Sequence, residues 1–340
     1  MARKTLLDFF HAQLSSVPPL VTKDLTGRTV IVIGANTGLG FEASKHFARM
    51  NPGRLILGCR NQVKGEQAIS SIKRETGYER AELWLIDLLE FSSVKEFADK
   101  FERDGGRLDY LVLNAAIIPF EGRKETKDGW EHTLQVNCLS PSLLALRLLP
   151  HLVQTASEHS TVPRLVLVSS EAHFRTSFKD MVVNSNQPLQ MLSNEKYCTS
   201  KIMRYRYSGS KLINVFFIRA LNAHLKNRSV TINTVNPGYC YSEIRRGMTG
   251  IAAIFDWVFE RLLAFKTEEG SRQLVWAALG ESDQELSGAY ISKSAVVEPS
   301  DFVIGEEGKK LQEQLWRETV SILVRVDSKV VGIAEQSLNQ

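Results

Sequence analysis

The stretch Arg28-Thr-Val-Ile-Val-Ile33-Gly34-Ala-Asn-Thr-Gly38-Leu-Gly40 decides the fold of this chain. Its apolar run predicts a buried strand, and a helix is predicted from Gly38 to about Met50. The three glycines let the backbone turn tightly and bring the N-terminus of the helix, with its N–H groups and dipole, against a pyrophosphate. The alternative, glycines that serve only helix–strand packing, is less favoured in this position.

The same alternation of short apolar runs and helical patterns continues along the chain. Helices are predicted around Gln62 to Glu75 and Phe91 to Arg103. Further strands are predicted at Arg54–Cys59, Ala81–Ile86, Tyr110–Leu113, Arg164–Val168 and Val230–Val235. This pattern predicts an α/β fold with one doubly wound parallel sheet of about seven strands, covered by helices on both faces. A ligand of such a sheet lies at the carboxyl ends of its strands, where the strand order reverses.

Composition excludes several other classes of protein. Of 340 residues, 43% are hydrophobic and 24% charged, as in an ordinary globular protein, and 42 basic against 38 acidic side chains give a net charge of +4 without a basic run. Nucleic acid is therefore not an expected partner. Four widely spaced cysteines predict reduced thiols in the cytoplasm, with no metal site, and no run reaches the roughly 18 apolar residues of a membrane span.

Further motifs follow the glycine-rich turn in a fixed order. They are Leu-Ile-Asp87-Leu88, Leu113-Asn114-Ala115-Ala116, Leu-Gln-Val-Asn137, Val-Leu-Val-Ser-Ser170, Tyr207-Ser-Gly-Ser-Lys211 and Asn236-Pro237-Gly238. Together with the GxxxGxG spacing, this set resembles the short-chain dehydrogenases/reductases over about residues 25–300. Within that family the chain looks most like the retinol-dehydrogenase-like and WW-domain-oxidoreductase-like branch, including its fungal members.

The resemblance implies a nicotinamide cofactor and the residues that bind it. By that resemblance, Asp87 contacts the adenine, the segment around Asn114 lines the cofactor, and Ser242 reaches the nicotinamide amide. The cofactor-binding residues expected on this basis are Gly34, Asn36, Thr37, Gly38, Leu39, Gly40, Arg60, Asp87, Leu88, Asn114, Ala115, Ala116, Tyr207, Lys211, Pro237, Gly238 and Ser242. The chain departs from the family pattern at three positions, where Ile33, Ala116 and Ser242 replace threonine, glycine and threonine.

The spacing of Tyr207 and Lys211 fits proton transfer at a carbonyl or alcohol oxygen. A tyrosine is normally too weak an acid to exchange this proton near neutral pH. A lysine at i+4 shares its helical face, and its positive charge stabilises the phenolate. The resemblance adds Ser170, rather than its neighbour Ser169, as the hydrogen-bond partner of the substrate oxygen, Asn137 as the residue that holds a relay water, and Lys211 as a ligand of the nicotinamide ribose.

A second YxxxK sequence, Tyr197-Cys-Thr-Ser-Lys201, competes with the first. It is followed by a short polar segment, whereas Lys211 is followed by a long amphipathic pattern that leads into the sixth strand. We therefore predict Tyr207 as the catalytic tyrosine and Tyr197 as a loop residue near the pocket. His173, in the long interval between Ser170 and Tyr207, is expected to be structural.

The end of the second strand bears on the choice between NADP and NAD. NAD enzymes usually carry a carboxylate there for the ribose 2′-hydroxyl, and an arginine accommodates a 2′-phosphate. This chain has Arg60, with Lys64 nearby and no acid before Glu66. NADP(H) is therefore predicted over NAD(H). The alternative is that Arg60 is only a solvated residue at the start of a helix.

The chain is expected to form one Rossmann-type domain over 25–300, preceded by an extension over 1–24 and followed by a helical extension over 301–340. In the first extension Leu6, Leu7, Phe10 and Leu14 share a helical face, expected to pack on the protein rather than on a membrane. Residues 239–266 form a predicted substrate lid. Its apolar residues are read as core packing in part and pocket lining in part, with contact with a membrane surface less favoured. These residues are Ile244, Met248, Ile251, Ile254, Phe255, Val258, Phe259, Leu262 and Leu263.

These observations predict an NADP(H)-dependent oxidoreductase that interconverts a carbonyl and an alcohol on a lipophilic small molecule, as a ketoreductase of secondary metabolism does. Tyr207 would be its general acid/base. Two alternatives are a redox-neutral epimerase or dehydratase on the same site and a non-catalytic NADP-binding sensor or scaffold. A homodimer through the Tyr207 helix is left open.

Overall fold

Eight short strands form a single sheet in this structure, a computed structural model that describes residues 6–226, 228–280 and 283–339. Their bounds are β1 Thr29–Ile33, β2 Arg54–Cys59, β3 Ala81–Leu85, β4 Tyr110–Leu113, β5 Arg164–Val168, β6 Thr231–Asn236, β7 Tyr290–Ser292 and β8 Ala295–Val297. The central strands are apolar and buried along their whole length, as expected for strands covered on both faces. Six of the predicted strands are confirmed, with shifts of one residue at some ends.

The strand order is β3-β2-β1-β4-β5-β6-β7-β8. The chain builds outward from β1 through β2 to β3, then crosses back to place β4 on the other side of β1. The order therefore reverses between β1 and β4, whose carboxyl ends are Ile33 and Leu113. Side chains and loops that follow these two strands are brought together at that edge, which is the expected ligand site of a doubly wound sheet.

The predicted doubly wound parallel sheet of about seven strands is confirmed, and the structure adds one strand at an edge. β8 is an eighth strand and runs antiparallel to β7. The two are joined by Lys293 and Ser294, which both have φ of 54°. Two consecutive positive φ values match the two-residue turn that suits a twisted hairpin, usually signalled by Asn-Gly or Asp-Gly. Lys-Ser lacks that signature, and for this reason the sequence pattern does not predict the hairpin.

Helices cover both faces of the sheet. Their bounds are α1 Leu6–Leu14, α2 Gly38–Arg49, α3 Gln62–Thr76, α4 Phe91–Asp104, α5 His132–Leu134, α6 Ser140–His159, α7 Asp180–Val183, α8 Pro188–Ser193, α9 Ser200–Met203, α10 Arg206–His224, α11 Gly250–Leu263, α12 Thr267–Leu279, α13 Asp283–Leu286, α14 Asp301–Ile304, α15 Glu306–Val326 and α16 Lys329–Ser337. One apolar core contains residues of α2, α3 and α12, and a second contains residues of α4, α6, α10 and α15. The side chains of Leu6, Leu7 and Ile251 lie outside the described part.

One helical run among the described residues, His132–His159, is long and apolar enough to cross a bilayer, but 83% of its most apolar window is buried inside the fold. It consists of α5, a π-helical turn at Gln135–Leu139, and α6. Single π turns inside α-helices occur frequently at functional sites. The burial of this run is that of a core helix packed on a sheet.

Candidate active site

A cleft of about 820 Å³ lies at the edge of the sheet where the strand order reverses. Its lining comes from the turn after β1, the ends of β2 to β6 and the beginning of α10. Every predicted site residue except Gly40 and Asn137 contributes to this lining. The sequence motifs, far apart along the chain, are therefore brought to one cavity of the size that holds a cofactor and a substrate.

Gly34 and Gly40 make the floor of the glycine-rich turn. Gly34 has φ of 82° and packs so closely on Ala115 that a Cβ atom there would lie 2.8 Å from the Ala115 Cα. A Cβ atom on Gly40 would lie 2.2 Å from the Gly34 carbonyl oxygen. Thr37, the residue before α2, has an extended backbone, and its side chain accepts no hydrogen bond from the first turn of the helix. The N–H groups of that turn are therefore not capped by Thr37. This is a cradle that fits the pyrophosphate of a dinucleotide.

The residues after β3 and β4 form the next part of the wall. The Asn114 side chain donates a hydrogen bond of 3.0 Å to the Gly34 carbonyl oxygen, which ties the end of β4 to the glycine turn. Asp87 accepts a bond from the Leu89 N–H, which fixes the carboxylate at the cleft. Leu88 is held through its carbonyl oxygen by the Ser140 hydroxyl. Ala116 lines the same wall.

Tyr207 lies in the first turn of α10 and lines the cleft together with Ser170. Burial raises the pKa of Tyr207 to about 12, while the nearby Ser170 hydroxyl and the positive charge of Arg245 act in the opposite direction. The neighbouring Arg206 is buried and forms an ion pair of 3.3 Å with Glu131, which anchors this end of the helix. The phenol is therefore rigidly placed and fully protonated at neutral pH.

Lys211 is buried one turn after Tyr207, and its Nζ lies 5.6 Å from the centre of the tyrosine ring. The ammonium donates a hydrogen bond of 2.8 Å to the Val168 carbonyl oxygen at the end of β5. Burial lowers the pKa of Lys211 to about 8. Ser169 also lines the cleft, but its hydroxyl donates to the Lys211 carbonyl oxygen, whereas Ser170 is the serine that influences the phenol.

The side chain of Asn137 does not line the cleft. It sits in the π turn, accepts a bond of 2.9 Å from the Ile117 N–H, and donates to the Ile117 carbonyl oxygen and to the Ser210 hydroxyl. The asparagine therefore connects the loop after β4 to α10 at Ser210, the residue before Lys211. Its polar atoms are engaged in protein contacts, which makes it a positioning residue in this structure.

His173 is buried in the 3₁₀ turn after Ser170 and does not line the cleft. Its Nε2 accepts a hydrogen bond of 3.2 Å from the Ser300 N–H, so that nitrogen carries no proton, and its Nδ1 lies 2.8 Å from the Ser170 carbonyl oxygen. A neutral imidazole thus connects the backbone of Ser170 to the chain beyond β8. The arrangement is structural, in line with the expectation from sequence.

Tyr197, the rival tyrosine, lies in a loop between α8 and α9 and does not line the cleft. It packs partly buried against the apolar core, and burial raises its pKa.

Arg60, by contrast, does line the cleft. It follows β2 directly, is exposed to solvent, and makes no ion pair within the described residues. Its guanidinium is available to an anionic ligand.

The segment predicted to be a lid, residues 239–266, has two parts that differ in their contact with the cleft. Residues 239–247, apart from Tyr241, line the cleft, and Ser242 lies there as the N-cap of a 3₁₀ turn. Of the apolar residues expected in part to line the pocket, Ile244 does so, whereas Phe255 and Phe259 do not. Phe255 is 72% exposed to solvent, and Phe259 stacks on Phe9 of α1. The periodicity of α11 identifies an apolar helix but does not tell which side of it faces the protein.

The sequence pattern does not predict a group of charged residues around Arg245, which lines the cleft. Arg245 forms ion pairs with Asp256 and Glu260 of α11, and its guanidinium lies 4.5 Å from the centre of the Tyr239 ring. Arg175 lies over the ring of Phe9 at 5.4 Å. The spacing of Arg245 to Asp256 and Glu260 suggests these pairs only when α11 is known to fold back on the preceding turn. A group of three or more metal-ligating side chains was not found within residues the structure describes.

Sequence comparison assigns the chain to a family. A family model described as short chain dehydrogenase matches residues 28–182. The chain is 33% identical to the short chain dehydrogenase/reductase dmxR8 of Cryptosporiopsis sp., over 93% of this chain and 97% of that protein. It is 36% identical to the short chain dehydrogenase atnD of Emericella nidulans, over 85% of this chain and 91% of that protein.

Solved structures show the same fold. Salutaridine reductase from Papaver somniferum matches with a TM-score of 0.59 and 21% identity, over 77% of this chain and 99% of that one. A putative short chain dehydrogenase from Escherichia coli CFT073, complexed with NADPH, matches with a TM-score of 0.58 and 22% identity, over 80% of this chain and 99% of that one.

The fold, the cleft and these matches define an oxidoreductase on a Rossmann-type sheet. The chain belongs to the short-chain dehydrogenase/reductase family. The resemblance to the family is thus confirmed, while the retinol-dehydrogenase-like branch stays a prediction.

Proposed function

We propose that this protein is an NADP(H)-dependent reductase or dehydrogenase that interconverts a ketone and a secondary alcohol on a bulky apolar substrate. The observation that carries the proposal is that Ser170 and Tyr207 meet in one cleft, with Lys211 one helical turn after Tyr207. Binding of a nucleotide alone needs no such proton donor. The pair therefore favours catalysis over the role of a sensor or scaffold.

The residues of the cleft fit the proposed cofactor. The cradle of Gly34, Gly38 and Gly40 at the beginning of α2 would hold the pyrophosphate, Asp87 the adenine, and Lys211 the nicotinamide ribose. When bound, the nicotinamide supplies or accepts a hydride. Pro237, Gly238 and Ser242 lie beside Tyr207 in the lining and would border the nicotinamide.

The proton follows a separate route through this chain's own side chains. Ser170 would donate a hydrogen bond to the substrate oxygen, and Tyr207 would deliver its phenolic proton to the same oxygen in reduction or remove it in oxidation. The pKa of about 12 favours the protonated phenol. The ammonium of Lys211 stabilises the phenolate left after transfer, because the two groups share a buried face of α10.

Arg60 is proposed to bind the 2′-phosphate of NADP(H). We expect Arg60→Asp to lower kcat/KM for NADPH by about 10- to 100-fold, because a charge-assisted pair is lost and the new carboxylate repels the phosphate. The ratio of kcat/KM for NADPH to that for NADH, measured for both proteins, tests this. Arg74→Asp, at the far end of α3, is the matched control and should keep the ratio. A wild-type preference for NADH would contradict the assignment.

The apolar character of the substrate is inferred from the side chains around Tyr207. Phe9, Ile117, Ile118, Phe120, Tyr239 and Ile244 line this part of the cleft. Two basic residues of the lining are neutralised by ion pairs, since Arg245 pairs with two carboxylates and Arg246 pairs with Glu243. A site of this kind gains free energy from apolar area and penalises an unpaired buried charge.

Phe120 provides a direct test of this lining. We expect Phe120→Ser to raise KM for a bulky apolar ketone by about tenfold and to change KM for a small ketone far less, because only the larger substrate loses apolar contact. Steady-state kinetics with one ketone of each size would measure the difference. Phe255→Ser, outside the cleft, is the matched control. Equal changes in the two variants would contradict the placement of the substrate.

The proposed function is tested by NADPH oxidation over a panel of carbonyl compounds. Bulky apolar ketones should be reduced faster than sugars or small keto acids. Cofactor absorbance at the end of turnover separates the alternatives: a net decrease supports the reductase, whereas product formed without net change identifies a redox-neutral epimerase or dehydratase. Best turnover of small charged keto acids would overturn the substrate class.

A further inference from the structure

The second part of the lid exposes an unusual amount of apolar surface. On α11 the side chains of Phe255 and Leu262 are each 72% exposed, and Trp257 is 54% exposed. Ile254 and Val258 are exposed on the same helix. We call these five residues, together with Phe10 and Leu14 of α1, the lid apolar face. Large apolar residues grouped in this way on a surface mark a site of interaction.

The acidic residues of α11 do not interrupt this face. Asp256 accepts a hydrogen bond of 3.0 Å from the Tyr239 hydroxyl and pairs with Arg245. Glu260 pairs with the same arginine and accepts a bond from the Ser242 N–H. Both carboxylates are therefore turned toward the protein and neutralised there. In the sequence they argue against a membrane-facing helix, and the structure removes that objection.

The charged side chain that remains beside the exposed residues is basic. Arg261 lies over the ring of Trp257, with its guanidinium carbon 4.6 Å from the ring centre. An indole with a stacked guanidinium is amphipathic and suits the boundary between water and hydrocarbon. The exposed part of α11 thus combines large apolar side chains, one tryptophan and one arginine, without an acidic group.

The N-terminal helix extends the surface. α1 is fixed to α11 by the stack of Phe9 on Phe259 and by Gln13, whose side chain donates hydrogen bonds of 2.9 Å to the carbonyl oxygens of Tyr239 and Leu263. Arg175 lies exposed over Phe9. Asp8 is the acidic residue on this helix. Arg175 and Arg261 are thus two basic groups beside one acidic residue, Asp8, because Asp256 and Glu260 are paired with Arg245.

We propose that the lid apolar face docks on an anionic lipid bilayer, with the apolar side chains at the boundary between headgroups and acyl chains and Arg175 and Arg261 at the headgroups. A second copy of this chain fits less well, because Asp256 and Glu260 are paired with Arg245, and Asp8 is the one other acidic residue in the described parts of α1 and α11, against the two arginines. The proposal does not rest on the proposed function, since it concerns binding and not turnover.

Sedimentation with lipid vesicles tests the proposal on the full chain. Vesicles of phosphatidylcholine alone and of phosphatidylcholine mixed with phosphatidylserine are the two probes. We expect binding to the mixed vesicles that falls with added salt, and a decrease of at least about tenfold in the partition coefficient of the F255S/L262S variant. Arg261→Glu should weaken binding to the mixed vesicles selectively. The control M181S/V331S, which removes two exposed apolar residues from other helices, should bind as the wild type does.

Two results would overturn the proposal. One is sedimentation with neither type of vesicle, or equally with both. The other is a dimer in analytical ultracentrifugation without lipid that dissociates in F255S/L262S, because that result would assign the face to a second copy of the chain. An unchanged mass for wild type and variant supports the bilayer as occupant. If no carbonyl compound of the panel were reduced with NADPH, the results with vesicles would not change. The two proposals are therefore tested separately.

Discussion

Replacing Tyr207 by phenylalanine is expected to lower kcat by about 10³- to 10⁴-fold, the severe end of the range for general acid–base catalysis. The phenol lines the cleft together with Ser170, and of the tyrosines in the two YxxxK sequences only Tyr207 does so. Phenylalanine keeps the ring that packs in the first turn of α10. The loss should therefore appear in kcat, measured as oxidation of NADPH with a bulky ketone, while the Kd for NADPH changes little.

Tyr197→Phe is the matched control for this experiment. It removes the same hydroxyl from the rival YxxxK sequence, in a loop outside the cleft lining. Its kcat should stay within a fewfold of the wild type. If Tyr197→Phe were the inactive variant, the assignment of the proton donor would be wrong. If both variants lost NADPH binding, the effect would be structural and the catalytic role of Tyr207 would not be supported.

Gly40→Ala is expected to abolish measurable binding of the cofactor, with a rise in Kd for NADPH of at least about 100-fold. The added Cβ would lie 2.2 Å from the Gly34 carbonyl oxygen and 2.6 Å from the Asn114 Nδ2. Neither group can yield easily, because the first is backbone and the second holds the turn by its own hydrogen bond. The glycine turn must open, and the first turn of α2 moves away from the pyrophosphate.

Gly332→Ala on α16 is the control for this substitution. A Cβ there meets no atom within 4 Å, and the backbone is helical. Alanine at an open helical position stabilises a protein by roughly 0.5–1 kcal/mol, so this variant should bind NADPH normally and unfold slightly later on heating. Fluorescence titration measures both affinities. Normal affinity in Gly40→Ala would show that the turn tolerates the methyl group and would refute the argument from packing.

The fold was predictable because its signals are local. Each central strand is a short apolar run, and the glycine turn lies directly between β1 and α2, so the position of the cleft follows from the order of elements. The choice of Tyr207 over Tyr197 rested on the amphipathic helix after Lys211, and the structure does place Tyr207 in the first turn of that helix. Local periodicity was sufficient for both.

Other features depend on contacts between distant segments. Arg245 pairs with Asp256 and Glu260 and so determines which side of α11 packs on the protein. Hydrophobic periodicity does not predict these ion pairs. The clamp made by Asn137 depends on a π turn that brings its side chain to Ile117 and Ser210. The cleft lining by Phe9 requires that the N-terminal helix returns to the end of β6, which lies more than 200 residues later.

The bonds of Gln13 have a consequence for recombination between relatives. Gln13 holds the backbone of Tyr239, 226 residues away, and that of Leu263, so the first helix and the predicted lid form one packed unit although they are far apart in the sequence. A chimera that receives a new lid but keeps its old N-terminal helix would lose this clasp and the stack of Phe9 on Phe259. We therefore expect a chimera to acquire the substrate preference of the relative only when both segments are exchanged together.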